Sequence, residues 1–355
     1  MKRILIDCRK ILDGGIGTVI KNMLREFSDR FLTEAMLICN TLEQQDALKG
    51  LTQIPEVKKI RARPFSLLEQ IELHRIGKNF SISLFPSLAH PAFLPSNKNY
   101  FIVHDVIQHE EFSSPFDRFV SGVFFKNIRR KGDGLIFPSY FSKQRFETLF
   151  GAAGEMKVCP LGVESAWVEA GSQNSGTDYL LYFGNCKHNK NVPFLIEGFL
   201  RSDLSDSRQL YIVGSDVDVD KRRLETLKGQ YKNFHDRVRF VGEVSFDRLL
   251  SLVRSSFVVC CPSNYEGFGL PVLEAAASGK VVVHSNIPPF EEILGRSEYS
   301  FVSDDLSSLI RTLNKLDASN PGFQHERKRN HERALSFSWQ NFAVAVETMV
   351  LGRSI

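Results

Sequence analysis

Short apolar runs alternate along this chain with longer stretches whose apolar positions recur every three or four residues. In the first half the short runs fall at residues 4–6, 35–39, 82–85, 100–104 and 134–137, and in the second at 179–183, 210–213, 238–241, 257–261 and 281–284. Strands that alternate with helical patterns from end to end predict parallel sheets with helical crossovers. Residues 170–178 are small, polar and turn-forming, which predicts a linker near residue 174. The pattern therefore divides into two doubly wound α/β domains, 1–170 and 171–335, and a tail over 336–355; residues 324–351 are helical in pattern.

Size and composition agree. A chain of 355 residues exceeds what one hydrophobic core usually serves. With 43% hydrophobic and 24% charged residues it is ordinary for a globular protein. No apolar run approaches the roughly eighteen residues of a membrane span, and Asp7, Arg9 and Lys10 interrupt the N-terminal run too early for a signal peptide. A cytoplasmic location is expected. The six cysteines, at 8, 39, 159, 186, 260 and 261, show neither C-x-x-C nor zinc spacing, so neither a disulfide framework nor a metal cluster is expected. Cys8, Cys39, Cys260 and Cys261 lie in or beside apolar runs and read as small buried hydrophobes.

The densest chemistry lies in residues 263–279, Ser-Asn-Tyr-Glu-Gly-Phe-Gly-Leu-Pro-Val-Leu-Glu-Ala-Ala-Ala-Ser-Gly. A strand enters a turn holding Gly267 and Gly269; Pro271 then opens a helix that Gly279 can close. The amides of Phe268, Gly269 and Leu270 can face a phosphate at the positive end of the helix dipole. Glu266 and Glu274 bracket the turn. Carboxylates beside a phosphate site do not bind the phosphate, so hydroxyls are their expected partners, from a ribose diol or a sugar.

Other candidates surround this centre. Asp13-Gly-Gly-Ile-Gly-Thr18 is a glycine-rich loop between a strand and the amphipathic run 19–27. It fails the dinucleotide fingerprint G-x-G-x-x-G because Ile20 stands at the third glycine position. His104 and Asp105 end a predicted strand, at the sheet edge where ligands bind in doubly wound folds. Asp216, Asp218 and Asp220 resemble a D-x-D metal motif or a calcium loop, but Lys221 and Leu227 stand where the calcium loop needs Gly and an acid, so a solvated turn is expected.

Glu266 and Glu274 within this setting resemble the E-x7-E signature of retaining glycosyltransferases of family GT4, and the likeness covers nearly the whole chain. It implies a GT-B fold: two Rossmann-like doubly wound domains facing a central cleft, with a C-terminal helix crossing back to the first. The first domain would bind the acceptor and the second the nucleotide-sugar. The resemblance puts Glu266 near the transferred sugar and Glu274 on the nucleotide ribose. Gly184-x5-Lys190-Asn191 is similar to the family element whose Lys meets the donor diphosphate. Relatives carry a neighbouring Arg where this chain has Asn185 or Asn189, and Lys187 or His188 is the candidate replacement. Gly15 and Gly17 match the Gly-Gly-Ile-Gly element across the cleft from the donor. His104 matches the His-Asp element that contacts the hexose, with Asp105 orienting it or meeting the acceptor.

The resemblance implies a metal-independent hexosyltransferase with no cofactor beyond its donor. The motifs Val-His-Asp-Val, Pro138-Ser-Tyr-Phe-Ser-Lys143, Pro160-Leu-Gly-Val-Glu164 and Ser285-Asn-Ile-Pro-Pro289 look most like bacterial mannosyltransferases of surface-polysaccharide synthesis. GDP-mannose is the leading donor; UDP-sugars and dTDP- or GDP-deoxysugars follow. The acceptor would be a glycan or a polyprenyl-linked glycan. A GT-B sugar-nucleotide epimerase and a scaffold without turnover are the alternatives. Residues 1–170 carry 23 Lys and Arg against 19 Asp and Glu, the whole of the net +4. Within them, residues 116–131 interleave Phe116, Phe119, Val120, Val123, Phe124 and Ile128 with Arg118, Lys126, Arg129, Arg130 and Lys131. That is a candidate for peripheral contact with anionic membrane, or an ordinary amphipathic helix.

Overall fold

The computed structural model describes residues 3–352 except 53–54, 63–65, 89–96, 111–113, 171–178 and 216–218. Two compact units emerge: Met1–Gly162 with Ser338–Ile355, and Val163–Phe337. The expected linker lies outside the described residues beyond Ala170. The change of unit falls earlier than 170/171, because helix Ser165–Ala170 already packs on helices Phe246–Ser255 and Leu270–Ala277 of the second unit.

The first unit is built on a seven-stranded parallel sheet: β1 (Ile4–Asp7), β2 (Ala35–Cys39), β3 (Glu56–Lys59), β4 (Ile82–Phe85), β5 (Lys98–Ile102), β6 (Gly134–Phe137) and β7 (Glu155–Val158), in the order β3-β2-β1-β4-β5-β6-β7. The second unit repeats the plan with six: β8 (Tyr179–Phe183), β9 (Gln209–Val213), β10 (Val238–Gly242), β11 (Val258–Cys261), β12 (Val282–Ser285) and β13 (Ser300–Phe301), in the order β10-β9-β8-β11-β12-β13. In each sheet the chain builds outward from its first strand, then returns to that strand's other side. β1 beside β4 and β8 beside β11 are therefore the points where successive crossovers diverge and leave a crevice beyond the carboxyl ends.

β1, β4, β6, β11 and β12 bury every residue, which is why they stand out as apolar runs. Three edge strands carry no such signal. β3 exposes Glu56, Lys58 and Lys59, β7 alternates polar and apolar, and β13 has two residues. A strand with a neighbour on one side only needs no continuous apolar run, and outward charge protects its open edge. β5 also starts and ends earlier than residues 100–104, so His104 lies two residues beyond the strand.

The tail is two helices, Pro321–Ala334 and Trp339–Leu351, interrupted at 335–338. Ser338 caps the second by accepting from Asn341 N at 3.3 Å. Gly162 leaves room for this crossing, since a Cβ there would strike Trp339 N. The last helix belongs to the first unit and packs on helix Gly14–Glu26. Glu347 accepts from Ser28 N at 2.6 Å and from Ser28 Oγ at 3.0 Å. All six cysteines are buried thiols.

Candidate active site

The crevice of the second unit lies between the loops that follow β8 and β11. After β8 the chain makes a 3-10 turn, His188–Lys190, and enters helix Val192–Leu200 through Asn191. After β11 it runs through residues 262–269 into helix Leu270–Ala277. Neighbouring strands bring the loops together. Asn264 N donates to Asn189 O at 2.8 Å, and Asn189 Nδ2 donates to Tyr265 O at 3.0 Å. These bonds place Lys190 Nζ 2.6 Å from Glu266 Oε1, an oxygen that also accepts from Ser263 Oγ at 2.7 Å. Ser263 is held in turn through its carbonyl, which accepts from Ser285 Oγ.

The helix start follows the sequence reading, with Leu270 rather than Pro271 as its first residue. Gly269 has φ +112°, and a Cβ there would lie 2.6 Å from the Phe290 ring, so backbone and packing both require glycine. Gly279, at φ +63°, closes the helix, its N donating to Ala276 O at 2.9 Å. Phe268 is buried with its ring 5.9 Å from that of Phe337.

The two glutamates are neutralised by different means. Glu266 is paired with the Lys190 ammonium. For Glu274, burial, reinforced by the Glu164 carboxylate, pushes the pKa from the ordinary 4.5 to about 8. Its carboxyl group is therefore mostly protonated at neutral pH. A polyanion could approach this site without facing two bare carboxylates.

In the first unit, His104 and Asp105 line a hollow whose remaining wall is largely apolar and includes Ile16, Leu88, Phe125 and Ile128. His104 Nε2 lies 2.8 Å from Pro86 O. A carbonyl can only accept, so Nε2 carries the proton and Nδ1 is left as an acceptor. Burial lowers the pKa of His104 and keeps the ring neutral, against the opposing pull of Pro86 O and Asp105. Asp105 Oδ1 accepts from Ile107 N at 3.0 Å, so it shapes the loop.

The Gly-Gly-Ile-Gly element is not a loop. Helix Gly14–Glu26 begins at its first glycine, and Gly15 and Gly17 lie in the opening turns. Gly17 is needed for close approach, because a Cβ would strike Ile11 O. The turn before it is held by a buried ion cluster that the sequence reading missed. Arg9 Nε donates to Asp7 Oδ1 at 2.8 Å and Nη2 to Asp7 Oδ2 at 2.6 Å, while Nη1 pairs with Glu69. Charged residues sixty positions apart carry no local signal for such pairing.

Asp216 and Asp218 lie outside the described residues. Asp220 caps helix Lys221–Gln230, accepting from Arg223 N at 3.0 Å. Among the described residues no group of three or more His, Cys, Asp or Glu could hold a metal ion. Asn189 is a structural bolt between the loops, and Lys187 and His188 are both exposed. The stripe read over 116–131 divides in helix Pro115–Lys131: Phe125 and Ile128 are buried, whereas Phe116, Phe119 and Val123 are exposed.

Two parallel doubly wound units with a returning C-terminal helix are the architecture of the GT-B glycosyltransferases. The whole chain superposes on Anabaena HepE in complex with UDP-glucose with a TM-score of 0.78, covering 99% of this chain and 100% of that one at 15% identity. Residues 164–334, nearly the whole of the second unit, match the model of the family glycosyl transferases group 1. The resemblance read from the motifs is thus borne out in fold and family. Among curated proteins, glycogen synthase of Mycobacterium tuberculosis is 29% identical over 234 residues, 62% of this chain and 55% of that protein. The O-antigen chain mannosyltransferase RfbU of Salmonella typhimurium is 33% identical over 131 residues, 37% of this chain and 36% of that protein. The matches span about half or less of these relatives' lengths.

Proposed function

We propose that this chain is a retaining glycosyltransferase that moves a hexose from a nucleotide-sugar to a glycan acceptor in cell-surface polysaccharide synthesis, with GDP-mannose as the leading donor. The observation that carries this reading is the disposition of charge around the β8/β11 crevice: one lysine, one paired carboxylate, one carboxyl kept neutral, and a helix N-terminus. A nucleoside diphosphate carries negative charge beside neutral hydroxyls. Lys190 and the amides of Phe268, Gly269 and Leu270 meet the diphosphate, Glu274 the ribose diol, and Glu266 the sugar. In the transfer, the bond from the anomeric carbon to the β-phosphate oxygen breaks and a bond to the acceptor oxygen forms on the same face. The acceptor proton passes to the departing phosphate. Lys190 and the helix amides hold the charge that develops on the diphosphate. Glu266 orients the sugar without forming an adduct, and His104 with Asp105 serves the hexose and acceptor from the first unit. No metal takes part.

Similarity to a mannosyltransferase supports the hexose, while the UDP-glucose complex of HepE keeps UDP-sugars in the test. Incubation with a panel of labelled nucleotide-sugars and a glycan acceptor, with and without excess EDTA, decides the reading. Nucleotide release matched by glycosylated acceptor and persisting in EDTA supports it. A new free sugar nucleotide indicates epimerisation, and binding without turnover indicates a scaffold. Loss of transfer in EDTA, restored by manganese, overturns metal independence.

The polyprenyl-linked form of the acceptor draws support from helix Pro115–Lys131. Phe116, Phe119 and Val123 are exposed on it at intervals of three and four, and Lys126 and Arg130 continue the same face. Among the described residues no helix is long and apolar enough to cross a membrane. Peripheral attachment to the inner membrane face fits this stripe, each cation adding roughly 1 kcal/mol near an anionic surface. Co-sedimentation with phosphatidylglycerol vesicles at low salt should be lost in Phe119→Glu with Arg130→Glu. A wild-type chain that ignores such vesicles makes the acceptor a soluble glycan.

A further inference from the structure

Only two non-glycine residues among those described have left-handed backbones, Asn191 (φ +52°) and Asp304 (φ +59°). They lie 113 residues apart in sequence and touch, Asn191 Nδ2 donating to Asp304 Oδ1 at 2.9 Å. The left-handed region is uncommon for side-chain-bearing residues and persists where the surroundings impose it. Here those surroundings are one polar network. Asn191 Nδ2 also donates to Asn264 Oδ1 at 3.1 Å. Asn264 Nδ2 donates to both Asp304 carboxylate oxygens, at 2.9 and 3.0 Å, and its own Oδ1 also accepts from Ser303 Oγ at 3.0 Å.

Each member adjoins the candidate site. Asn191 follows Lys190 directly, and Asn264 stands two residues before Glu266 and next to Ser263. Asp304 comes from a third loop, after the two-residue edge strand β13, which is itself held by Ser303 N donating to Asn286 Oδ1 at 3.1 Å. Lys190 and Glu266 sit on different loops, and their side chains alone do not hold those loops in register. The backbone bond from Asn264 N to Asn189 O fixes one point; the side-chain network fixes a second on the other side of Lys190. Two points define an orientation as well as a distance.

We propose that Asn191, Asn264 and Asp304 are positioning residues, a clamp that sets the Lys190 ammonium against the Glu266 carboxylate. This rests on the reading in which Lys190 meets the diphosphate and Glu266 the sugar. Those ligand groups are joined by a single bond, so their protein partners must keep a fixed spacing. The clamp touches neither.

Asn191→Gly and Asp304→Gly retain the left-handed backbone and remove the side-chain bonds. Asp304→Asn keeps an acceptor oxygen and removes the charge. The full-length chain is used throughout. With the donor that wild type accepts, both glycine variants should lose at least ten-fold in kcat, with affinity for the free nucleoside unchanged. The double variant should lose less than the product of the two single losses, because the two side chains share one bond and one partner, Asn264. Asp304→Asn should recover most of the rate. The second readout is independent of turnover. Competitive acetylation of lysines with acetic anhydride, read by mass spectrometry, should modify Lys190 several-fold faster in the glycine variants than in wild type, with Lys280 labelling unchanged.

Unchanged kcat and unchanged Lys190 labelling in folded variants overturn the clamp. So does a uniform loss that follows the thermal midpoint in all three variants. Absence of transfer in wild type overturns the functional reading instead, and the labelling comparison then decides the clamp by itself.

Discussion

The two units share one sheet plan and differ in what fills the crevice. In the second, the loops after β8 and β11 are joined by charged and amide side chains, with Lys190 on Glu266 and Asn189 on the Tyr265 carbonyl. In the first, helices Gly14–Glu26 and Pro115–Lys131 and the segments after β4 and β5 line a hollow walled mostly by apolar side chains, and its His104 is neutral with Nε2 committed to Pro86 O. The difference teaches what each crevice can recognise. A doubly charged diphosphate is held by charge at fixed places, whereas a sugar hydroxyl needs neutral hydrogen-bonding groups in a shaped pocket. In the proposed reading the second unit carries affinity and the first carries the choice of acceptor.

The sharpest break of this comparison is Lys190→Ala. Loss of a charged hydrogen-bonding partner, worth about 1.5–3 kcal/mol, should weaken nucleoside diphosphate binding by roughly 10- to 100-fold and leave nucleoside binding alone. Titration calorimetry of the two ligands reads this directly, and equal losses for both would remove Lys190 from the diphosphate. His104→Ala probes the opposite crevice. Transfer should fall by about ten-fold, the scale of one hydrogen bond, while nucleoside diphosphate affinity stays at the wild-type value. A matching fall in that affinity would dissolve the division of labour.

Glu274 sharpens the comparison through pH. Its pKa of about 8 in the folded chain lies above the ordinary 4.5, so the folded state keeps a proton that the unfolded chain releases. Its contribution to stability is fully present below about pH 4.5 and is lost as pH rises through about 8. Thermal midpoints measured from pH 5 to pH 9 should decline in wild type and decline less in Glu274→Gln, which keeps the shape without the titration. Parallel curves would show that Glu274 ionises as an ordinary carboxylate. The smallest effect is expected for Glu266→Gln, which loosens the hold on Lys190. Nucleoside diphosphate should bind a few-fold more tightly while transfer falls; weaker binding would mean that the ion pair shapes the site instead of competing with the ligand.

Much of this was legible in the chain before folding. Strands buried on both sides must be apolar throughout, so β2, β4, β6 and β8 stand at their expected limits. The edge strands β3 and β7 were invisible because one side faces water and polar residues suffice there. Gly269 and Pro271 announced a helix start because few residues fit those backbone positions. The Gly14–Gly17 segment misled for the related reason that glycine permits a loop without demanding one. Here the Asp7–Arg9–Glu69 cluster and the close pass of Ile11 start the helix at Gly14.

What sequence alone determined was therefore local: which runs must be buried, where glycine and proline allow a helix to begin, and which charged residues stand beside those places. What only the tertiary structure decided was pairing across distance. The meeting of Lys190 with Glu266, the isolation of Glu274 beside Glu164, the contact of Asn191 with Asp304 and the splitting of helix Pro115–Lys131 into a buried and an exposed face all depend on strand order. Hydrogen bonds and ion pairs act over a few ångströms of space. Residues 76 or 113 positions apart come within that range only after β11 has returned to lie beside β8 and β13 has closed the edge.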